Sequence, residues 1–217
     1  MKNFLKNLVY PRHCVFCGDF LDKNSCEDIC PDCAGHLPWT GKKCRTRGEF
    51  FAECISPLFY SGEARSAVRR FKFMGKAAYA RQMGKMIADC VRENGKGGYD
   101  AVAWVPVSLR RLRKRGYCQA KLLAREVSAQ LGIRSRKLLR KCRHTPPQSS
   151  LSGLAARRAN ISGAFRAAKR SRISGRSILL IDDVVTTGAT LSECTRILLM
   201  AGAREVCCAT LCKAVKK

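Results

Sequence analysis

One stretch near the carboxyl end constrains the fold of this chain more than any other. The apolar run Ser177-Ile-Leu-Leu-Ile181 leads directly into Asp182 and Asp183, and Gly188 follows at the start of a helical pattern. A fully apolar run of this length is typical of a strand covered on both faces, and such strands occur in parallel sheets. The stretch therefore predicts a strand, a tight turn and a helix of an α/β domain.

The rest of the chain shows the same alternation of strand and helix signals. We therefore expect a parallel sheet with helices on both faces over residues 47–217. Residues 1–46 are rich in cysteine and too short to build a core of their own, so we expect them to form a separate small module. The predicted strands are 55–60, 101–106, 177–181 and 206–211, and the predicted helices are 62–73, 77–93, 119–131 and 188–201.

The residues around the turn indicate which ligand it binds. Gly188 lets the backbone approach a ligand closely, and the N–H groups at the start of the helix favour a phosphate, with threonine hydroxyls as further donors. Asp182 and Asp183 do not suit that phosphate; they suit sugar hydroxyls or a hydrated Mg²⁺. The pattern predicts a site for a ribose 5-phosphate. The plainer interpretation is an acidic helix cap on an ordinary turn, which would leave two acids desolvated without a ligand role.

Half of the 14 cysteines lie in the first quarter of the chain. Cys14 and Cys17 form one C-x-x-C pair, Cys30 and Cys33 form a second, and twelve residues separate the pairs. Four thiolates at this spacing predict a closed, structural Zn²⁺ site whose metal supplies folding energy. Because the N-terminal residues carry no secretory signal pattern, we expect a reducing, cytoplasmic location, where disulfides are rare. The alternative ligands are His13, Cys26, His36 and Cys44.

Lys and Arg number 42 against 16 Asp and Glu, which gives a formal net charge of +26. A charge this large indicates an anionic partner. A basic cluster follows the strand that ends at Pro106, and it is a candidate site for a dense anion. The alternatives are a solvated basic face or a nucleic-acid surface, because basic clusters are weakly specific. The cluster consists of Arg110, Arg111, Arg113, Lys114 and Arg115.

The stretch from Ile178 to Thr190 closely resembles the phosphoribosyl-pyrophosphate (PRPP) signature of type I phosphoribosyltransferases, an apolar strand followed by Asp-Asp-x-x-Thr-Thr-Gly-x-Thr. The chain as a whole resembles the ComF family of competence proteins, in which a zinc module precedes that domain. The other matching segments are Tyr60-Ser-Gly-Glu-Ala-Arg65, Arg70-Phe-Lys-Phe-Met-Gly75, Val105-Pro-Val-Ser108, Arg113-Lys-Arg-Gly-Tyr-Cys-Gln119, Arg143-His-Thr-Pro-Pro-Gln148, Arg158-Ala-Asn160 and Gly163-Ala-Phe165.

The resemblance implies a role for each residue of the signature. Asp182 and Asp183 would be the catalytic pair that meets the ribose hydroxyls, with Mg²⁺ accompanying PRPP, and the loop of Val107 and Ser108 would carry the pyrophosphate together with Arg115. Many relatives have Asn where this chain has Cys118, which removes an amide donor, and Pro is frequent at the position of Ser108. Cations of the basic cluster would stabilise the pyrophosphate as a leaving group, with Lys72 and Arg143 as candidates for a second contact. Thr186 to Thr190 would hold the 5-phosphate. The PRPP-binding segment implied by the resemblance is Val184, Val185, Thr186, Thr187, Gly188, Ala189 and Thr190.

Two functional hypotheses follow. The first is a phosphoribosyltransferase of nucleotide or base salvage with no role on DNA, whose acceptor the sequence does not identify. The second, implied by the ComF resemblance, is a PRPP-binding protein that handles single-stranded DNA during natural transformation. It would act in the cytoplasm beside DNA-uptake machinery at the inner face of the membrane, and no apolar run here reaches the ~18 residues of a membrane span. Arg110, Arg111, Arg113, Lys114 and Tyr117 would bind the DNA, with Phe71, Phe73 and Tyr79 as further rings for base stacking.

Overall fold

The computed structural model describes residues 12–22, 25, 27–143, 145 and 159–215. Its strands belong to a central six-stranded sheet and a separate two-stranded ribbon. The strands of the sheet are β1 (Arg45–Thr46), β2 (Cys54–Ile55), β3 (Leu58–Phe59), β4 (Ala101–Trp104), β7 (Ser177–Val185) and β8 (Glu205–Lys213), and those of the ribbon are β5 (Leu139–Lys141) and β6 (Phe165–Ala167).

Parallel pairing dominates the central sheet. The order is β1-β2-β8-β7-β4, β3 pairs with the last part of β8, and only the short β1 runs antiparallel to its neighbour. The carboxyl ends of β3, β4, β7 and β8 therefore meet at one edge of the sheet. Ligands bind at such an edge in open α/β folds.

Six α-helices lie entirely within the described part of the chain. The first is short and belongs to the cysteine-rich segment, and the other five connect the strands. They are α1 (Pro31–His36), α2 (Gly62–Phe73), α3 (Ala80–Asn94), α4 (Leu109–Arg115), α5 (Gln119–Leu131) and α6 (Ala189–Met200). None of the helices described here is long and apolar enough to cross a bilayer.

The side chains of β7 alternate between two hydrophobic cores. Leu179 and Ile181 pack into a core shared with α2, α3 and α5, whereas Ile178 and Leu180 pack into a second core shared with α6 and the ribbon. Both faces of the strand are covered, which explains why its sequence is continuously apolar instead of alternating. The prediction of a parallel sheet with helices on both faces is confirmed.

All four predicted strands differ in their bounds from the structure, and two of the differences have a clear physical cause. The predicted strand 55–60 is split into β2 and β3, because Pro57 has no N–H to donate to the sheet. The strand predicted to end at Ile181 continues to Val185, since its residues stay paired with β8 as far as Val185 with Lys213. Asp182 and Asp183 consequently belong to the strand itself.

The cysteine-rich segment packs directly on the α/β domain. Val15 and Phe16 are buried in the same core as Val68 and Phe71 of α2. Arg70 of α2 donates hydrogen bonds to the backbone carbonyls of both Val15 and Phe16. The segment is therefore continuous with the larger core, and the boundary at residue 46 stays a prediction.

Candidate active site and metal centre

The turn after β7 forms a small cavity at the carboxyl edge of the sheet. Gly188 has a φ of 78°, the left-handed region that favours glycine, and it precedes the first residue of α6. The first-turn N–H groups of a helix have no partner within the helix, so they suit an anion. The cavity brings together Asp182 and every residue of the predicted PRPP-binding segment: Val184, Val185, Thr186, Thr187, Gly188, Ala189 and Thr190.

Phe51 supports this turn from the hairpin between β1 and β2. Its ring is buried, and a Cβ added to Gly188 would lie 3.1 Å from Cζ of Phe51. A side chain at position 188 would therefore be strained by backbone conformation and crowded by the ring. The sequence gives no signal for this contact, because Phe51 lies more than 130 residues before Gly188.

Two adjacent carboxylates share this site. The backbone N–H of Asp183 donates to Oδ1 of Asp182 at 2.9 Å. Burial, followed by repulsion from Asp183, raises the pKa of Asp182 to about 7. The ionised form of Asp182 is therefore poorly stabilised by the protein alone, which favours a cation or hydrogen-bond donors from a ligand.

Lys72 of α2 reaches the same pair. Its Nζ lies 2.7 Å from Oδ1 of Asp183, and both side chains are largely buried. Burial alone would lower the pKa of Lys72, but the attraction of Asp183 outweighs it, so the pKa is raised and the ammonium stays charged. Lys72 is predicted from the sequence to contact pyrophosphate, and in the structure its partner is Asp183.

The predicted basic cluster forms the short helix α4 next to β4. Ser108 caps this helix, because its Oγ accepts the backbone N–H of Arg111 at 3.4 Å. Val107 is half-buried beside it, and Arg110, Arg113 and Lys114 are exposed. The remaining two cations of the cluster, Arg111 and Arg115, are half-buried.

Arg111 and Arg115 make specific contacts on the inner side of α4. Arg111 donates to the carbonyl of Thr145 at 2.9 Å, and burial, followed by repulsion from Arg115, lowers its pKa. The guanidinium of Arg115 lies 5.0 Å from the centre of the Phe73 ring and donates to Gln119 at 3.1 Å. Arg115 thereby links α4 to the end of α2.

The four aromatic residues predicted for base stacking have different environments. Phe71 is fully buried, so the prediction that it stacks on a base is wrong, and Tyr79 is buried as well. Tyr117 is half-buried against Phe71, and its hydroxyl donates to the Phe71 carbonyl. Phe73 alone among the four is exposed, at 64%.

Four cysteine sulfurs converge in the N-terminal segment. The Sγ atoms of Cys14, Cys17, Cys30 and Cys33 all lie within 4.8 Å of one another, and those of Cys17 and Cys30 are 3.7 Å apart. Zn–S bonds of about 2.3 Å in a tetrahedron require sulfur separations of about 3.8 Å, so the cluster fits zinc. The described alternatives lie elsewhere, since His13 contacts Gly18, His36 contacts Asp32 and Cys44 packs beside Cys90. Cys26 falls outside the described residues.

Backbone N–H groups surround these sulfurs. Cys14 Sγ accepts from the N–H of Phe16 at 3.5 Å and of Cys30 at 3.4 Å. Cys30 Sγ accepts from the N–H of Cys33 at 3.3 Å. Such donors stabilise thiolates, the form that binds a metal. The four residues thus form a closed site of structural type, with no position for a reacting ligand.

Comparisons with known proteins agree with both the cysteine-rich segment and the α/β domain described above. Residues 5–63 match the family model of a double zinc ribbon domain, and residues 114–217 match that of a phosphoribosyl transferase domain. Competence protein F of Haemophilus influenzae is 32% identical over 145 residues, which cover 64% of this chain and 63% of that protein. The chain is ComF-like. The DNA utilization protein YhgH of Salmonella typhi is also related to this ComF-like chain, at 28% identity over 85% of this chain and 84% of its own length.

Among solved structures, glutamine PRPP amidotransferase from B. subtilis aligns with 61% of this ComF-like chain and 26% of its own. The sequence identity is 23% and the TM-score is 0.43. A superposition this loose carries no information about the reaction of the ComF-like chain.

The ribbon β5–β6 adds a lysine that the sequence analysis of this ComF-like chain missed. Lys141 donates to the Thr145 hydroxyl at 2.8 Å, and its Nζ lies 5.0 Å from the centre of the Phe165 ring. Burial, followed by repulsion from Arg111, lowers the pKa of Lys141 to about 8, while Asp182 attracts its charge. One lysine among many basic residues carries no sequence signal that would have marked it.

Proposed function

We propose that this ComF-like chain binds PRPP with Mg²⁺ at the turn after β7. The observation that carries the proposal is the single cavity that joins Asp182 to the Gly188 turn and the start of α6. The amides of the turn suit the 5-phosphate, and the neighbouring carboxylates suit the ribose hydroxyls. Mg²⁺ fits the same place because carboxylate oxygens are its preferred protein ligands, and a cation would relieve the raised pKa of Asp182.

The pyrophosphate group would lie on the β4 side of this cavity. The loop of Val107 and Ser108 leads into α4 there, and Arg111 and Arg115 lie on the inner side of that helix. When the bond between ribose C1 and pyrophosphate breaks, negative charge develops on the leaving oxygen. Fixed cations at that position lower the barrier because they are in place before the charge appears.

Isothermal titration calorimetry with PRPP and MgCl₂ tests the proposal. We expect binding by the unmodified protein and its loss in the double variant Asp182→Asn, Asp183→Asn. The control is Asp89→Asn, which removes a carboxylate from the outer face of α3. Unchanged binding heats in a folded double variant would contradict the ribose assignment.

We also propose a role in handling single-stranded DNA during competence, in the cytoplasm beside DNA-uptake machinery. The relatives named for competence and DNA utilization support it. So does α4, where Arg110, Arg113 and Lys114 are exposed and Arg115 lies over the exposed ring of Phe73. Cations that follow the backbone and rings that stack on bases are the two elements of such surfaces.

Salt dependence distinguishes this role from base salvage alone. We expect the affinity for a labelled oligothymidylate to fall with salt. The triple variant Arg110→Ala, Arg113→Ala, Lys114→Ala should reduce the log–log slope by about 2, because each single-strand phosphate contact contributes about 0.7. Arg204→Ala is the control, since Arg204 precedes β8 at the opposite edge of the sheet. Absence of DNA binding, together with transfer to a free base, would favour a salvage enzyme.

A further inference from the structure

The part of the chain that contains the two-stranded ribbon is basic and has no acidic residue. Residues 127–181 contain 13 Lys and Arg and no Asp or Glu, although the whole chain has 16 acidic residues. These 13 cations equal half of the formal net charge of +26. A quarter of the chain therefore carries half of its excess charge, and the fold decides which of these cations share a surface.

The register of the ribbon places two arginines directly opposite each other. Arg140 of β5 faces Arg166 of β6, and both are exposed, whereas the next residue, Phe165, is buried. Like charges at directly opposite positions of an antiparallel pair are destabilising, because their Cβ atoms are only about 5 Å apart. An anion bound to both guanidinium groups would offset this repulsion.

Further cations follow at the end of the ribbon where β5 begins and β6 ends. The N–H of Ala168 donates to the carbonyl of Leu138 at 2.8 Å, so the two strands stay paired one residue beyond their named bounds. The chain after β6 then forms a short 3-10 turn. With the arginine pair, the exposed cations of this region make up what we call the ribbon surface: Lys137, Arg140, Arg166, Lys169, Arg170 and Arg172.

The ribbon surface has no acidic partner in the described part of the chain. None of its six cations forms an ion pair with a described residue. Exposed cations of other elements are paired, for example Arg92 with Asp89 at 2.5 Å and Lys96 with Glu205 at 3.0 Å. The positive charge of the ribbon surface is therefore available to a ligand outside the chain.

The composition of the ribbon surface favours a ligand with densely spaced phosphates. Among the described residues, the exposed large apolar side chains all lie outside 127–181, so the surface offers no ring for the base stacking that single-strand sites use. Cations alone suit phosphates, and a DNA duplex carries about one charge per 1.7 Å of its axis. Lys137 and Arg140 are about 10 Å apart along an extended chain. A duplex presents about six charges over that length, as many as the cations of the surface.

We infer that the ribbon surface binds the phosphate backbone of double-stranded DNA. It is formed by other residues than the α4 cations that are proposed above to bind a single strand. The choice of DNA rests on the proposed role in DNA handling, whereas PRPP binding and the α4 contacts do not enter the inference. With both surfaces, the chain would hold the duplex and the single strand of a DNA junction at the same time.

The salt dependence of duplex binding tests the inference. Fluorescence anisotropy measures the affinity for a labelled duplex of about 20 base pairs, which is about two helical turns. The ribbon variant Arg140→Gln, Arg166→Gln should reduce the log–log slope by about 1.8, because each duplex phosphate contact contributes about 0.9. The matched control is Arg81→Gln, Arg125→Gln, which removes two exposed arginines from α3 and α5 on the opposite face of the sheet and should keep the slope.

A labelled oligothymidylate distinguishes the ribbon surface from α4. The ribbon variant and its control should bind the oligothymidylate equally well. Equal duplex slopes in these two variants would overturn the inference, as would a loss confined to the oligothymidylate. Tighter binding of linear polyphosphate than of the duplex, at equal phosphate concentration, would also overturn it. Duplex binding through the ribbon in a chain that does not bind the oligothymidylate would support the inference and contradict the proposed single-strand role.

Thermal melts without DNA provide an independent test of the arginine pair. Because the ribbon variant removes two charges that repel each other, its melting temperature should equal or exceed that of the unmodified protein. A lower melting temperature would show that Arg140 and Arg166 stabilise the ribbon, and it would overturn the inference.

Discussion

Lys72 Nζ and Asp183 Oδ1 are 2.7 Å apart, although α2, which carries Lys72, lies more than 100 residues before β7. The side chains are only 20% and 14% exposed, so water screens the pair weakly. The ammonium neutralises one of two adjacent carboxylates. Asp182 is left as the member that a ligand or cation must neutralise.

Replacement of Lys72 by Met should destabilise the protein. The change leaves the Asp183 carboxylate without its cation in a poorly solvated place, and we expect a loss of about 2 kcal/mol in the free energy of unfolding. Urea denaturation measures it. Lys76→Met, at an exposed position just beyond α2, is the control and should change stability little. Equal stability of the two variants would mean that the pair contributes nothing.

Stability should depend on pH through Asp182. Its pKa is about 7 in the folded chain, against about 3.9 for an unfolded aspartate. Between these values the folded chain holds a proton that the unfolded chain releases, so the free energy of unfolding falls as the pH rises from about 4 to about 7. Asp182→Asn removes this contribution.

Chemical denaturation at several pH values compares the two proteins. The free energy of unfolding of the unmodified protein minus that of Asp182→Asn should decrease steadily across that interval. Taking this difference cancels the titration of groups that both proteins share. A constant difference would show that Asp182 has an ordinary pKa.

Gly188→Ala should impair both stability and PRPP binding. An alanine in the left-handed backbone conformation costs about 1–2 kcal/mol, and the new methyl group would meet the Phe51 ring beside this turn. Gly175→Ala is a matched control, because Gly175 has a similar φ of 72° with no atom within 4 Å of the added Cβ. It should lose comparable stability and bind PRPP normally. If calorimetry finds equal PRPP affinity in both variants, the turn does not hold the phosphate.

The purified protein should contain one zinc ion per chain. Cys30→Ser should lose the metal and unfold at lower temperature, because the four-cysteine cluster cannot close around an ion without the Cys30 thiolate. Elemental analysis and thermal melts measure both effects. Cys142→Ser, which changes an exposed cysteine outside the cluster, should retain zinc. A fully folded, zinc-free protein would refute the structural role.

Local signals predicted the helices and buried strands well. Helix α5 has the predicted bounds, because Gly132 ends it with a φ of 68° and its apolar positions follow helical spacing. Helix α4 was missed, since its sequence Leu-Arg-Arg-Leu-Arg-Lys-Arg reads as a charge cluster and the Ser108 cap becomes clear only in three dimensions. Helix α4 depends on the Ser108 cap and on the contacts made by Arg111 and Arg115.

The motif predicted the centre of the candidate site, but its surroundings depend on contacts between distant parts of the chain. Asp182 and the Gly188 turn follow one another in sequence, so spacing alone indicates a shared site. Phe51 and Lys141 reach the same place from other elements, and Lys72 turned out to pair with Asp183. No local pattern encodes such contacts, because they arise when β7 and α6 pack against the hairpin, the ribbon and α2.

Helix α2 touches both the cysteine cluster and the acidic pair. Arg70 holds the backbone of Phe16 between Cys14 and Cys17, and two residues later Lys72 neutralises Asp183. A shift of the loop that carries Cys14 and Cys17 would consequently move the Lys72 ammonium away from the Asp183 carboxylate. If the chain binds a sugar phosphate as proposed, loss of zinc would then abolish that binding along with the fold of the loop, and zinc supply would set the fraction of this protein that can bind.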